Sequence, residues 1–213
     1  MKSARNLENK DIKDKGKTIV VAISGASGSI YGVRLIKALV ENGCQVLILI
    51  SHAGRKVLAH EMGYDPQTSF LSFLGQYGVD FDKGRVPEIF SQDEIASAPA
   101  SGSFVHHGMA VVPCSMKTLS AIASGYADNL ITRSCDVSLK ERRTLVLVPR
   151  ETPLSLIHLS NMTRAASAGA VILPPTPSFY TFPKTIEDLV DTIVARIMDH
   201  LGVAHNLGSR WGS

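Results

Sequence analysis

Residues 18–32 read Thr18-Ile-Val-Val-Ala-Ile23-Ser24-Gly25-Ala26-Ser27-Gly28-Ser29-Ile30-Tyr31-Gly32. The unbroken apolar run fits a strand buried on both faces, as in parallel sheets. After the small residues Ser24–Gly28, apolar positions resume at Ile30, Val33, Leu35, Ile36, Leu39 and Val40, which is helical spacing. A strand, a small-residue turn and a helix place backbone N–H groups at a helix N-terminus, where the dipole favours an anion. The glycines would let a ligand approach the backbone, and Ser24, Ser27 and Ser29 add hydroxyl donors. A tight βα turn without a ligand satisfies the same pattern.

Two more strand–turn units extend it. Gln45–Ile50 is a second apolar run, ending in Ser51-His52. A dinucleotide fold usually carries an acid there for the ribose, and a G-x-G-x-x-G turn before it. Here the glycines fall at 25, 28 and 32 and no acid follows the strand, so a mononucleotide fits better. Met109–Pro113 is a third run, followed by Cys114-Ser115-Met116-Lys117-Thr118 and a helix that stops near Gly125. Ala53–Met62 is expected to be helical, and a strand is expected around Val86–Phe90. Residues 64–101 otherwise give only a weak pattern.

Asp128–Arg143 reads as a polar helix on which Arg133, Asp136 and Lys140 share a face. The strand Thr144–Pro149 ends in Arg150-Glu151-Thr152-Pro153, the strand end where α/β folds place ligands. Thr152 is expected to cap a helix starting at Pro153 and running to about Ser167. A fifth strand, Ala170–Leu173, leads into Pro174-Pro175-Thr176-Pro177-Ser178-Phe179-Tyr180, where prolines restrict the backbone. Thr185 is expected to cap a last helix with Ile186, Leu189, Val190, Ile193, Ile197 and Leu201 as its buried stripe and Arg196 beside it.

Charge and composition narrow the class. The 213 residues carry a net charge of +3 and are 45% hydrophobic. Residues 1–17 hold six basic and three acidic side chains, so the rest is formally neutral and gives no nucleic-acid footprint. That tail lacks periodicity and is expected to be disordered. No stretch approaches the ~20 apolar residues of a membrane span, and no secretory h-region is evident. Cys44, Cys114 and Cys135 are too scattered for a metal pair and point to a reducing, cytoplasmic setting. His106 and His107, being adjacent, face different ways and are not expected to share a metal. Cys114 reads as a buried structural thiol.

Taken together, Ser24-Gly-Ala-Ser-Gly28, Pro113-Cys-Ser-Met-Lys-Thr118, Asp136-Val-Ser-Leu-Lys-Glu-Arg-Arg143, Arg150-Glu-Thr-Pro153 and Phe179-Tyr180 resemble the UbiX flavin prenyltransferases from about Lys17 to the C-terminus. The resemblance implies a Rossmann-like (flavodoxin-like) three-layer α/β domain with a mostly parallel sheet over 18–203, and a tail over 204–213 that reaches a neighbouring subunit. It implies transfer of a dimethylallyl group from dimethylallyl phosphate to reduced FMN, at N5 and then C6, with the product passing to a UbiD-type decarboxylase. Gly25, Ala26, Ser27, Ser51, Ser115, Met116, Lys117, Thr118, Arg133 and Arg150 are then expected to bind FMN. Lys140, Arg150, Tyr180, Arg196 and Trp211 would bind the donor. Ser27, Glu61, Lys140, Glu151 and Tyr180 would be catalytic, without a metal and in a homododecamer. An FMN-dependent decarboxylase and a non-catalytic flavin carrier are the other classes compatible with these motifs. The related cysteine decarboxylases use a catalytic histidine after the first helices, and no such motif stands out here.

Overall fold

The computed structural model describes residues 16–83 and 85–208. The expected tail, up to residue 15, and Trp211 lie outside them. Six strands form one sheet in which every neighbouring pair is parallel: β1 (Thr18–Ile23), β2 (Gln45–Ile50), β3 (Glu88–Ser91), β4 (Gly108–Cys114), β5 (Leu145–Pro149) and β6 (Val171–Ile172). Their order across the sheet is β3-β2-β1-β4-β5-β6. The order reverses between β1 and β4, which makes their carboxyl ends the topological switch point where open α/β sheets bind ligands.

Burial on both faces explains the unbroken apolar runs. Along β1, Ile19, Val21 and Ile23 enter one core and Val20 and Ala22 the other, as period-two alternation requires. The first core holds the sheet against α1 (Ser29–Glu41), α2 (His52–Met62), α3 (Phe70–Gln76) and α7 (Ile186–His200). The second packs α4 (Met116–Ser124), α5 (Leu130–Lys140) and α6 (Leu156–Ser167) on the opposite face. The architecture is therefore a three-layer α/β fold, as expected from the sequence. A bidentate Arg34–Asp191 pair, with Nε to Oδ1 at 2.9 Å, ties α1 to α7.

Two local expectations are corrected. The helix after β5 does not begin at Pro153 under a Thr152 cap. Ser155 caps it, its Oγ accepting from the His158 N–H while the His158 ring accepts from the Ser155 N–H. This reciprocal pair satisfies two donors, which Thr152 cannot match. The central polar helix is also shorter than Asp128–Arg143, because Asn129 caps it with Thr132 and Arg142 turns to φ 55. The weakly patterned 64–101 region contains α3, whose Phe70 and Phe73 meet the Tyr64 ring edge-to-face in the core.

Candidate functional site

The three strand–turn units meet at the switch point. Ser24, 1% exposed, joins two of them: its Oγ donates to the Pro113 carbonyl at 2.9 Å and accepts the Ser115 N–H at 2.8 Å. Its hydroxyl is therefore committed to the scaffold. Gly25 is needed for packing, since a Cβ there would sit 2.4 Å from the Cβ of Ala53 at the start of α2. Gly32 has the same character: a Cβ would meet the Val112 carbonyl oxygen at 2.6 Å. Of these three glycines, Gly28, at φ 105, is the one that needs a positive φ.

The anion expected at the α1 N-terminus comes from the chain itself. Glu61, near the end of α2, accepts the Ser29 N–H at 2.8 Å and the Gly28 N–H at 3.0 and 3.1 Å. Burial pushes its carboxyl upward, but hydrogen bonds from the Ser27 side chain and the Ser29 and Gly28 backbones outweigh this and hold it below the usual range. On the other side of the same turn, Arg150 Nε donates to the Ser27 carbonyl at 3.2 Å. Ser27 is thus held between an acid and a base.

With that slot filled, a ligand's phosphate is left with the neighbouring helix ends. Beside the turn opens a cavity of about 630 Å³, lined by Gly25, Ser51, Ser115, Lys117 and Thr118 among the expected residues. Ser51 caps α2 through the Gly54 N–H, and Ser115 caps α4 through the Thr118 N–H, so two helix N-termini border this space. Lys56 and Lys117 bring positive charge, while Ala53, Ala121, Tyr126 and Ile131 add apolar surface. The volume falls in the usual small-molecule range of ~300–1,000 Å³. The donor set suits a ligand with a phosphate, hydroxyls and a flat apolar part.

Lys56, Tyr126, Asn129 and Gln92 were not expected here. Gln92 comes from the weakly patterned region; its carbonyl accepts from the Leu130 N–H and its Oε1 from the His52 N–H, tying the starts of α5 and α2 together. No periodicity announces such a residue.

The other expected residues lie elsewhere. Arg133 donates to Asp136 at 2.7 Å and to the Ala100 carbonyl at 3.3 Å, outside the cavity lining. Ala26 and Met116 are also outside it. Exposed Glu151 accepts the Thr152 N–H at 3.0 Å. Lys140 pairs with Glu141 at 2.8 Å beside Gly102, at the end of α5 near the amino edge of the sheet. Tyr180 and Arg196 line a separate cavity of about 500 Å³ with Thr176, Ser178, Asp199 and His205. The end of α7 also belongs to the amino edge, because Leu201 packs where Gly108 opens β4. Lys140, Tyr180 and Arg196 therefore lie apart from the cavity beside the Ser27 turn.

The three cysteines and His106 are buried. Burial raises the Cys114 thiol to about 12 and Cys135 well above its ordinary value. His106 is buried, and burial together with Arg143 lowers it to about 4, while His107 is exposed. Among the described residues no group of three His, Cys, Asp or Glu side chains could hold a metal, and no helix is long and apolar enough to cross a membrane.

Comparison with known proteins places this arrangement. The Flavoprotein family model matches residues 7–198. The flavin prenyltransferase UbiX of Archaeoglobus fulgidus is 49% identical over 197 residues, spanning 91% of this chain and 98% of the relative. The crystal structure of AnUbiX (PadA1) with FMN and dimethylallyl pyrophosphate superposes with a TM-score of 0.82 at 41% identity, covering 92% of this chain and 98% of that one. A dodecameric FMN-dependent UbiX-like decarboxylase from Escherichia coli O157:H7 gives 0.80 at 36% identity, covering 92% and 100%. With this identity over nearly its whole length and the same overall fold, the chain belongs to the UbiX/PAD1-like family of flavoproteins.

Proposed function

We propose that the protein is a flavin prenyltransferase that joins a dimethylallyl group from dimethylallyl phosphate to reduced FMN, first at N5 and then at C6. The observation that carries the reading is the Ser27 turn, fixed by Glu61 and Arg150 beside a cavity bounded by the α2 and α4 N-termini. Ser51, Ser115, Thr118 and Lys117 fit an FMN phosphate and ribityl chain, and the Ala53, Ala121 and Ile131 surface fits an isoalloxazine ring. The relatives named above as a prenyltransferase, or crystallised with FMN and dimethylallyl pyrophosphate, support the same assignment.

Bound reduced FMN would supply the nucleophile. The chain's part is to hold it and to stabilise the phosphate that leaves the allylic carbon. Positioned cations and hydroxyl donors lower that barrier by meeting charge as it develops. Lys140, Arg150, Arg196 and the Tyr180 hydroxyl would do this in place of a metal ion. Glu151, next to Arg150, would accept the proton released on ring closure.

Such a site needs more than one chain. Lys140 and Arg150 flank β5, and five residues at about 3.3 Å each put their backbones roughly 16 Å apart. An assembly can bring Lys140, Tyr180 and Arg196 of neighbouring subunits to the Arg150 edge, and the dodecameric E. coli relative supports one. The exposed Leu156 and Ile157 and the exposed Phe179 and Phe182 offer apolar contact surface for it.

The test is mass spectrometry of the flavin after incubation with dimethylallyl phosphate under reducing conditions. A gain of one prenyl unit is expected. An unmodified flavin, or CO2 released from an aromatic acid instead, would overturn the reading.

A further inference from the structure

The second cavity contains a hydrogen-bonded chain that the proposed chemistry does not yet use. Asp199 lies one turn beyond Arg196 on α7, and its Oδ2 is 3.1 Å from a terminal guanidinium nitrogen of Arg196. Its Oδ1 is 3.2 Å from Nε2 of His205. The Leu207 N–H donates to the other ring nitrogen, Nδ1, at 3.2 Å. A nitrogen that accepts carries no proton in the neutral ring, so the hydrogen sits on Nε2 and points at Asp199. The His205 side chain is 2% exposed and that of Arg196 is 64% exposed. A locked, buried ring is thus linked through one carboxylate to a solvent-facing cation, and all three line the cavity with Thr176, Ser178 and Tyr180.

We infer that His205 and Asp199 are positioning residues that set the Arg196 guanidinium for the phosphate end of the allylic donor; this rests on the reading of Arg196 as a donor ligand. An arginine this exposed samples many rotamers, and binding an anion would freeze them at the cost of affinity. The Asp199 contact imposes part of that order beforehand. It occupies one edge of a planar group with five N–H donors, leaving others for phosphate oxygens. Asp199 needs an anchor of its own to do this, and His205 provides one. Because His205 is held by the backbone at Leu207, the segment that follows α7 takes part in shaping the donor site.

The experiment uses the full-length, FMN-loaded protein. Calorimetry with oxidised FMN measures the Kd of dimethylallyl phosphate without turnover, and kinetics with reduced FMN measures KM and kcat. His205→Ala is expected to raise Kd and KM about fivefold to twentyfold, the order of one charge-assisted contact, with kcat and FMN affinity little changed. His205→Gln, which keeps an N–H donor, should recover most of the loss. In an Arg196→Ala background, His205→Ala should add nothing further. Equal weakening with and without Arg196 would mean a merely structural role and overturn the inference, as would wild-type affinity in His205→Ala. Should His205→Ala not fold, Asp199→Asn tests the same link with the same expected loss. Arg196→Ala separates the two levels of the argument. If it leaves Kd unchanged, the donor-site reading fails and the relay with it; if it weakens binding while His205→Ala does not, the relay alone fails.

Discussion

Arg150 reaches back across the switch point and donates through Nε to the carbonyl of Ser27 at 3.2 Å. The loop after β5 is thereby coupled to the turn after β1, with β4 between them. Arg150→Lys keeps the charge but loses the fixed fork of donors. We expect it to fold and bind FMN, with prenyl transfer reduced by about tenfold or more, the scale of losing a positioned donor. Flavin titration and single-turnover kinetics check this.

Gly32→Ala tests how closely α1 must approach β4. The added Cβ would lie 2.6 Å from the Val112 carbonyl oxygen, a backbone atom that cannot swing aside. Overpacking of this kind costs about 1–3 kcal/mol. A lower denaturation midpoint with an unchanged m-value is the expected outcome. Gly63→Ala is a useful contrast, since its cost comes from the positive φ of 69 alone and nothing lies within 4 Å of the new Cβ.

Acid sensitivity should include a contribution from His106. Its ring is lowered from 6.5 to about 4 by burial and Arg143, against the raising effect of the Gly108 carbonyl. Between those values the unfolded chain binds the proton and the folded one does not. Stability from this group is therefore present above pH 6.5 and lost as pH falls toward 4. His106→Gln should flatten stability against pH in that window. An unchanged slope would remove His106 as the cause.

Leaving-group stabilisation by side-chain cations predicts full activity in the presence of a chelator, with the monophosphate donor preferred over the diphosphate. Strict Mg²⁺ dependence would contradict it. For Glu151→Gln we expect slow ring closure with the first carbon–nitrogen bond still formed, visible by rapid quench as a transient adduct.

Leu156 and Ile157 are 79% and 71% exposed although they open α6. Leu156→Asp should shift the particle to a smaller species in analytical ultracentrifugation and reduce prenyl transfer with it, leaving the far-UV spectrum unchanged.

The sheet was legible because positions buried on both faces of a sheet must be apolar, and β4 and β5 are apolar along their whole length, β1 and β2 after their first residue. β3 read weakly because it is an edge strand with no fully buried position. Ser51 and Ser115 were readable as strand-end polar residues before helices. The use of Ser24, Gly25 and Glu61 was not. A hydroxyl facing a ligand and one joining two turns have the same sequence signature, and Glu61 reaches Gly28 across 33 positions. Lys140 and Arg196 were recognisable as cations worth naming, but position along the chain does not tell which edge of the sheet they occupy.

That two-edged placement has a genetic consequence. If Lys140 and Arg150 serve one donor phosphate, each chain lends its lysine to a neighbour and borrows another's. Two inactive variants, Lys140→Ala and Arg150→Ala, would then be complementary alleles. Co-assembled, they would regenerate a fraction of intact sites that neither possesses alone, and that fraction would follow the mixing statistics of the oligomer.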